Sequence, residues 1–315
     1  MRNFKVGNFK LESATELSKI NIAYTIYGDF APSKKIVWVC HALTANSEVE
    51  DWWKGLFGKN DLFNSDKFTI ICANILGSCY GTSFEIEEKL PLISIRDMVE
   101  MHQRLADFLE ISKIDYLIGG SLGGMQALEW SVINPDFVKN LFLIATNAKH
   151  SAWGIAFNEA QRMALKSGKN GIETARAIAL LSYRNYETFE KTQEDSEEKL
   201  ENFRAATYQN YQGEKLKKRF TSESYWMLSK SMDTQNLGRN RISIENALSK
   251  ITAKTLVIGI ESDILFPISE QQFISKHIQN SQFKVLKSLY GHDGFLLETK
   301  QITENLKKYF EELNS

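Results

Sequence analysis

The stretch 116-YLIGGSLGGMQALEW-130 sets an apolar run against a cluster of glycines around one serine, then continues in a helical pattern. Two chemistries ask for glycines between a strand and a helix. One cradles a phosphate; the other presents a nucleophile. A phosphate loop needs Gly-Lys-Ser or Gly-Lys-Thr after its first glycine, and no lysine follows here. A dinucleotide fingerprint needs G-x-G-x-x-G beside the first strand of its unit. The cluster lacks that spacing and lies about a third of the way along the chain.

What remains is G-x-S-x-G, read as Gly119-Gly120-Ser121-Leu122-Gly123. Tyr116–Ile118 reads as a strand before it. Leu122, Met125, Leu128 and Val132 line one side of a helix after it, and Asn134-Pro135 stops that helix. Strand, sharp turn and helix are the context of a nucleophile elbow. The turn holds serine in a strained backbone, and neighbours carrying a Cβ would crowd the strand and helix. Ser121 Oγ is then exposed, and the N–H of Leu122, at the helix start, points where an oxyanion forms. The bland reading is a glycine-rich helix start with Ser121 as its cap.

Short apolar runs recur on both sides of this elbow: 20–27, 36–40, 69–73, 141–145, 255–260 and 283–289. Between them, 96-RDMVEMHQRLADFLEI-111 puts Met98, Met101, Leu105, Phe108 and Leu109 on one helical face. Such alternation predicts an α/β protein with a mostly parallel central sheet flanked by helices. The run 4-FKVGNFKL-11 predicts an antiparallel hairpin at the N-terminal end. The alternation stops between about 147 and 247, where the pattern is helical and carries the charged run 194-EDSEEKLE-201. We therefore expect a core from 1–146 and 247–315, with 147–246 inserted as a helical lid.

A serine nucleophile needs a base, and the base an orienting acid, in the chain order Ser, Asp or Glu, His. Of five histidines, His41 and His102 precede the serine, His150 follows too soon, and His277 reads as mid-helix. His292 remains, in 290-YGHDGF-295 after the last strand. In 261-ESDILFP-267, Asp263 can reach back to it. Glu261 competes but abuts the strand, and an Asx turn before Pro267 is the bland use of Asp263. A second oxyanion donor is expected from the loop after an early strand. In 40-CHALTAN-46 that is the N–H of Leu43, which makes His41 structural.

Bulk properties exclude some classes. The chain has 315 residues, 43% hydrophobic and 24% charged, with 38 Lys plus Arg against 39 Asp plus Glu. A net charge of −1 gives no basic field for nucleic acid or an anionic membrane. The N-terminus lacks an apolar signal core, and no apolar run reaches membrane-spanning length, so a cytoplasmic protein is expected. Cys40, Cys72 and Cys79 have neither metal-ligand spacing nor the look of a disulfide framework, and no metal is expected.

Longer stretches narrow the reading. The chain resembles the homoserine O-acetyltransferases, a branch of the α/β-hydrolase superfamily, along nearly its whole length. The resemblance is carried by 41-HALTAN-46, 74-NILGSCYG-81, 95-IRDMV-99 and 119-GGSLGGMQALEW-130, by 151-SAWGIAFNEAQRMA-164, 211-YQGEKLKKRF-220 and 231-SMDTQN-236, and by 262-SDILFP-267 and 291-GHDGFLLE-298. It implies the α/β-hydrolase fold, Ser121, Asp263 and His292 as catalytic triad, and Leu43 and Leu122 as oxyanion donors. It also implies Arg176 and Asp293 as the residues that hold homoserine. The chemistry of that pair is sound, since a free amino acid is a zwitterion and needs one cation and one anion. Arg176 shares a helical face with Ile172, Ala179, Leu180 and Tyr183; its bland use is a stem packed on the surface. Asp293 is also placed to cap the final helix, 294–313. Departures fall at 76-LGSCYGTSFE-85, where the family usually reads Leu-Gly-Gly-Cys and later Ser-Thr-Gly-Pro, and at Ala45, where glycine is common.

The implied reaction is ping-pong transfer of an acetyl group from acetyl-CoA, a co-substrate rather than a bound cofactor, to L-homoserine. A homodimer through the lid helices and a place in methionine synthesis come with the resemblance. Succinyl-CoA as donor or serine as acceptor would keep the chemistry, because one methylene is worth only a few kcal/mol of discrimination. A carboxylester hydrolase and a non-catalytic binding protein of the same fold stand behind these.

Overall fold

The computed structural model describes residues 1–86 and 90–314, the last three by backbone alone. Its strands are β1 (Arg2–Lys10), β2 (Glu16–Tyr27), β3 (Lys35–Cys40), β4 (Phe68–Ala73), β5 (Ser83–Glu85), β6 (Ile114–Gly120), β7 (Val138–Ile144), β8 (Lys254–Ile260) and β9 (Ser281–Leu286). They form one sheet in the order β1-β2-β4-β3-β6-β7-β8-β9, with β5 on β2. From β4 to β9 every neighbouring pair is parallel, whereas β1, β2 and β5 add antiparallel pairing at one edge. The expected N-terminal hairpin is β1 and β2.

Why the central strands read as unbroken apolar runs is visible in their side chains. Successive residues point to opposite faces of a sheet, and both faces here are covered. Trp38, Cys40, Ile71, Leu117 and Leu141 enter one core, while Val37, Val39, Ile70, Ile118 and Phe142 enter the other. Helices supply the cover: α1 (Val49–Trp52), α2 (Ile95–Phe108), α3 (Leu122–Ile133), then α4 (Ala152–Leu165), α5 (Gly171–Tyr183), α6 (Tyr186–Gln193), α7 (Arg204–Lys217), α8 (Ser222–Asp233) and α9 (Ile244–Ser249), and finally α10 (Ile268–His277), α11 (Gly294–Leu297) and α12 (Thr299–Asn314). Ser94 caps α2 in a reciprocal box with Asp97, which fixes where that helix begins.

Helices α4 to α9, the last running past the expected boundary at 246, lie between β7 and β8, where the sequence predicts a helical insertion. Inside it, the buried Arg162 of α4 is held by Asp233 at 2.6 Å and Glu159 at 2.8 Å, so α4 and α8 share a desolvated ion pair. Beyond α8 the chain is tied back to the core, where Arg241 and Arg96 both grip the buried Glu129 of α3. Gln126, one turn earlier on α3, accepts from His102 and donates to the carbonyls of His41 and Leu122. The ring of Trp130 stacks on His102. The extension 124-GMQALEW-130 thus fastens the nucleophile helix to its surroundings.

Several expected boundaries move. Strand β9 ends at Leu286, not 289, because the Ser288 carbonyl accepts from Ser262 Oγ at 2.6 Å instead of joining the ladder. The final helix is broken at Glu298, whose ψ of 38° leaves helical backbone, so α11 and α12 are separate. His277 is the last residue of α10, not mid-helix, with Nδ1 donating to the Phe273 carbonyl at 2.8 Å.

Candidate active site

Ser121 stands between β6 and α3 with φ 55° and ψ −125°, a conformation costing a non-glycine residue roughly 1–3 kcal/mol. The surroundings impose it. Ser121 N–H donates to the Ile144 carbonyl at 3.0 Å, and its own carbonyl accepts from Thr146 Oγ1 and Gly124 N–H at 2.9 Å each. Its side chain makes no cap bond to the helix, so the cap reading fails and the hydroxyl is free for other work. The glycines are explained by close approach. A Cβ on Gly119 would fall 2.2 Å from the Gly123 carbonyl oxygen, and one on Gly123 would fall 2.0 Å from the Cys40 carbonyl oxygen. Strand and helix can meet this tightly only without those side chains.

The structure brings Ser121, His292 and Asp263 together. Ser121 Oγ donates to His292 Nε2 at 2.8 Å, and His292 Nδ1 donates to Asp263 Oδ2 at 2.7 Å. All three side chains are buried. Asp263 follows β8, and its second oxygen accepts from the N–H groups of Leu265 and Phe266 at 2.9 Å each. The Asx turn and the contact to histidine therefore coexist on one carboxylate. His292 sits in a single 3-10 turn, Gly291–Asp293, inside a cage of rings: Phe266 at 4.9 Å, Phe295 at 5.3 Å and Tyr183 at 5.6 Å between centroids. Asp263, not Glu261, holds His292, and Glu261 lines a groove with Asp263, Lys287 and Glu298.

Leu122 is the first residue of α3, so its N–H is one of the donors a helix start leaves without a partner. Leu43 lies in a turn closed by Ala45 N–H on the Ala42 carbonyl at 3.1 Å. His41 fixes that turn. Its Nε2 accepts from Ile75 N–H at 3.2 Å, so the proton is on Nδ1, which donates to the Ala42 carbonyl at 2.9 Å. Burial holds the imidazole down at about 4, which keeps it neutral. The Ala42 carbonyl and the Leu43 N–H belong to one planar peptide and point opposite ways. Holding the first aims the second.

Arg176 and Asp293 flank the same ring. The Arg176 guanidinium lies 5.5 Å from the Tyr183 centroid, and the charges of Arg176 and Asp293 push the Tyr183 phenol in opposite directions. Burial raises Tyr183, and raises Tyr225 further. Asp293 makes no cap bond to α11, contrary to its expected helix-capping use. Its carboxylate forms an ion pair with Arg184, Nε lying 3.0 Å from Oδ2 without hydrogen-bond geometry, and Arg184 also lies over the Tyr290 ring. Sequence reasoning missed Arg184, Gln126 and Thr146. Gln126 had a signal: it stands at i+4 from Leu122, inside the motif already singled out.

A nucleophilic hydroxyl, a buried base and an oriented acid can carry acyl transfer through a covalent serine. Known proteins bear on whose chemistry this is. A family model for the alpha/beta hydrolase fold matches residues 35–299. Homoserine O-acetyltransferase of Cyclobacterium marinum is 41% identical over 96% of this chain and 93% of that protein. That of Nostoc punctiforme is 37% identical, over 96% and 94%. The crystal structure of homoserine O-acetyltransferase from Staphylococcus aureus superposes with a TM-score of 0.86 at 28% identity, covering 98% of this chain and 94% of that one. Identity at this level over nearly the whole of both chains means that the chain belongs to the homoserine O-acetyltransferase family of α/β-hydrolase-fold enzymes.

Proposed function

We propose that this enzyme transfers an acetyl group from acetyl-CoA to the side-chain hydroxyl of L-homoserine through an acyl-Ser121 intermediate. The observation that carries the reading is the relay Ser121–His292–Asp263, at 2.8 and 2.7 Å, in a chain similar end to end to homoserine O-acetyltransferases. His292 takes the Ser121 proton as Oγ attacks the thioester carbonyl. The carbonyl electron pair moves onto oxygen, facing the N–H groups of Leu43 and Leu122. Collapse breaks the C–S bond, and the CoA thiolate takes the proton from His292. Homoserine then enters, with Arg176 on its carboxylate and Asp293 on its ammonium. His292 takes the homoserine hydroxyl proton, the alkoxide oxygen attacks the acyl-serine, and collapse returns a proton to Ser121.

Water is the competing nucleophile, so the lid has to position the alcohol and restrict water. The same reading places the enzyme in methionine synthesis in the cytoplasm, as a homodimer through the lid. Among the described residues no helix is long and apolar enough to cross a membrane.

Intact-mass measurement after mixing with acetyl-CoA or succinyl-CoA tests the proposal. The acetyl adduct is expected on the wild type and not on Ser121→Ala, and homoserine should discharge it faster than serine or buffer. An adduct that persists in Ser121→Ala rules the scheme out. Rapid loss in buffer alone makes the enzyme a hydrolase.

A further inference from the structure

The inserted helical segment meets the turn that carries Leu43 through Arg219. Helix α7 ends at Lys217, and 218-KRF-220 folds back so that Arg219 and Phe220 N–H both donate to the Leu216 carbonyl at 2.9 Å. Phe220 is buried, with its ring 5.8 Å from that of Tyr80, and the Cys79 thiol donates to the Arg219 carbonyl at 3.8 Å. The lid backbone is thereby seated on the loop after β4. From this seat the Arg219 side chain reaches into the core domain. Its Nη1 donates to the Thr44 carbonyl at 2.5 Å and to the Tyr80 hydroxyl at 2.8 Å, and Nη2 donates to Thr44 Oγ1 at 3.4 Å.

Thr44 is the third residue of the Ala42–Ala45 turn, directly after Leu43. The turn therefore has two pins. His41 holds the Ala42 carbonyl from the core, and Arg219 holds the Thr44 carbonyl from the lid. We propose that Arg219 is a positioning residue, a lid-borne latch that keeps the Leu43 N–H aimed at the developing oxyanion and so makes acylation of Ser121 depend on a seated lid. The inference rests on the acyl-serine reading above. A charge-assisted bond to one carbonyl, shared with Tyr80, limits the rocking of the peptides between the pins. The device suits a transferase, because the hole is complete only when the element that restricts water is in place.

Burst kinetics with two donors test it. Acetyl-CoA carries a large anionic portion; p-nitrophenyl acetate has none, yet both acylate the same serine. Removing an oxyanion donor outright costs about 100- to 1000-fold, so a misaimed donor in Arg219→Ala should slow acylation about 10- to 100-fold. The factor should be the same for both donors, with donor KM little changed and partial recovery in Arg219→Lys. Tyr80→Phe, which keeps the ring packed on Phe220 but removes the second acceptor, should lose a smaller factor and serves if Arg219→Ala fails to fold. Loss with acetyl-CoA alone would make Arg219 a donor contact and overturn the latch, as would unchanged bursts with both donors. A wild type without any burst removes the acyl-serine reading itself, and the latch with it.

Discussion

Arg184 Nε lies 3.0 Å from Asp293 Oδ2, so the carboxylate next to His292 has a cationic partner. Both side chains are mostly buried, at 16% and 13% exposure, where a lone charge is costly. Arg184 therefore fixes the carboxylate that the proposed mechanism turns toward the homoserine ammonium. Arg184→Gln should raise the homoserine KM about tenfold, equivalent to ~1.4 kcal/mol, while the acylation burst stays within about twofold. Equal damage to both half-reactions would show that Arg184 supports the triad, not the acceptor site.

Arg176 makes a parallel case from the other side of Tyr183. Its guanidinium carbon lies over that ring, 5.5 Å from the centroid, and the proposed mechanism uses its planar fork for the homoserine carboxylate. Arg176→Lys keeps the charge but loses both the fork and the stacking. Homoserine KM should rise in Arg176→Lys and rise further in Arg176→Ala, with acetyl-CoA acylation preserved. Steady-state kinetics in homoserine, set beside burst rates, read the two effects separately, and a lysine variant matching wild type would remove the bidentate role.

His41 stands before the nucleophile in the chain and outside the triad, yet it should matter for rate. Substituting Ala removes the donor to the Ala42 carbonyl and leaves Ile75 N–H without its acceptor. A buried donor left unpaired costs about 1–3 kcal/mol of stability. We expect His41→Ala to lower the unfolding free energy from urea titration by that much and to slow acylation by about 100-fold through the Leu43 peptide, with donor KM little moved. A variant that loses stability but keeps its burst rate would separate the turn from the oxyanion hole.

The elbow, the order of strands and helices, and the Ser–Asp–His constellation were legible in the sequence because each depends on local pattern or on a fixed chain order. Gly119 and Gly123 announce a strand–helix approach that no other residue permits, and Asp263 directly follows a readable strand. What was not legible depends on long-range pairing. Arg184 meets Asp293 from a different helix end, Arg219 meets Thr44 across 175 positions, and Thr146 meets Ser121 from the loop after β7. None of these pairs leaves a periodicity or spacing signal. The break at Glu298 and the early end of β9 escaped for the same reason, since tertiary hydrogen bonds override local propensity there.

Gly123→Ala tests the packing account of the elbow. The added Cβ would lie 2.0 Å from the Cys40 carbonyl oxygen, on backbone that cannot step aside without moving β3 and α3 apart. Overpacking of a core usually costs 1–3 kcal/mol, and a backbone clash belongs at about 3 kcal/mol or beyond. The variant should show a much lower melting temperature and no burst. A folded, fully active Gly123→Ala protein would mean that the strand and helix are not held at this distance.

Buried histidines should set the acid limit of the fold. Burial holds His41, His102 and His150 down at about 4, against an ordinary 6.5. Each has a structural hydrogen bond as a neutral ring: His41 to Ala42, His102 to Gln126, His150 with Asn158. Between pH 6.5 and 4 the unfolded chain binds protons that the folded chain refuses. Their contribution is therefore fully present above about pH 6.5 and is lost as pH falls toward 4. Inside that window each histidine gives a slope of up to about 1.4 kcal/mol per pH unit, or about 4 for the three together. Urea midpoints measured from pH 7.5 to pH 4.5 should be level at first and then fall steeply. His102→Gln should remove about a third of the slope at the cost of some stability at neutral pH. A flat profile down to pH 4.5 would show that these rings take up protons in the folded state, and the neutral His41 that aims the Leu43 peptide would then have to be abandoned.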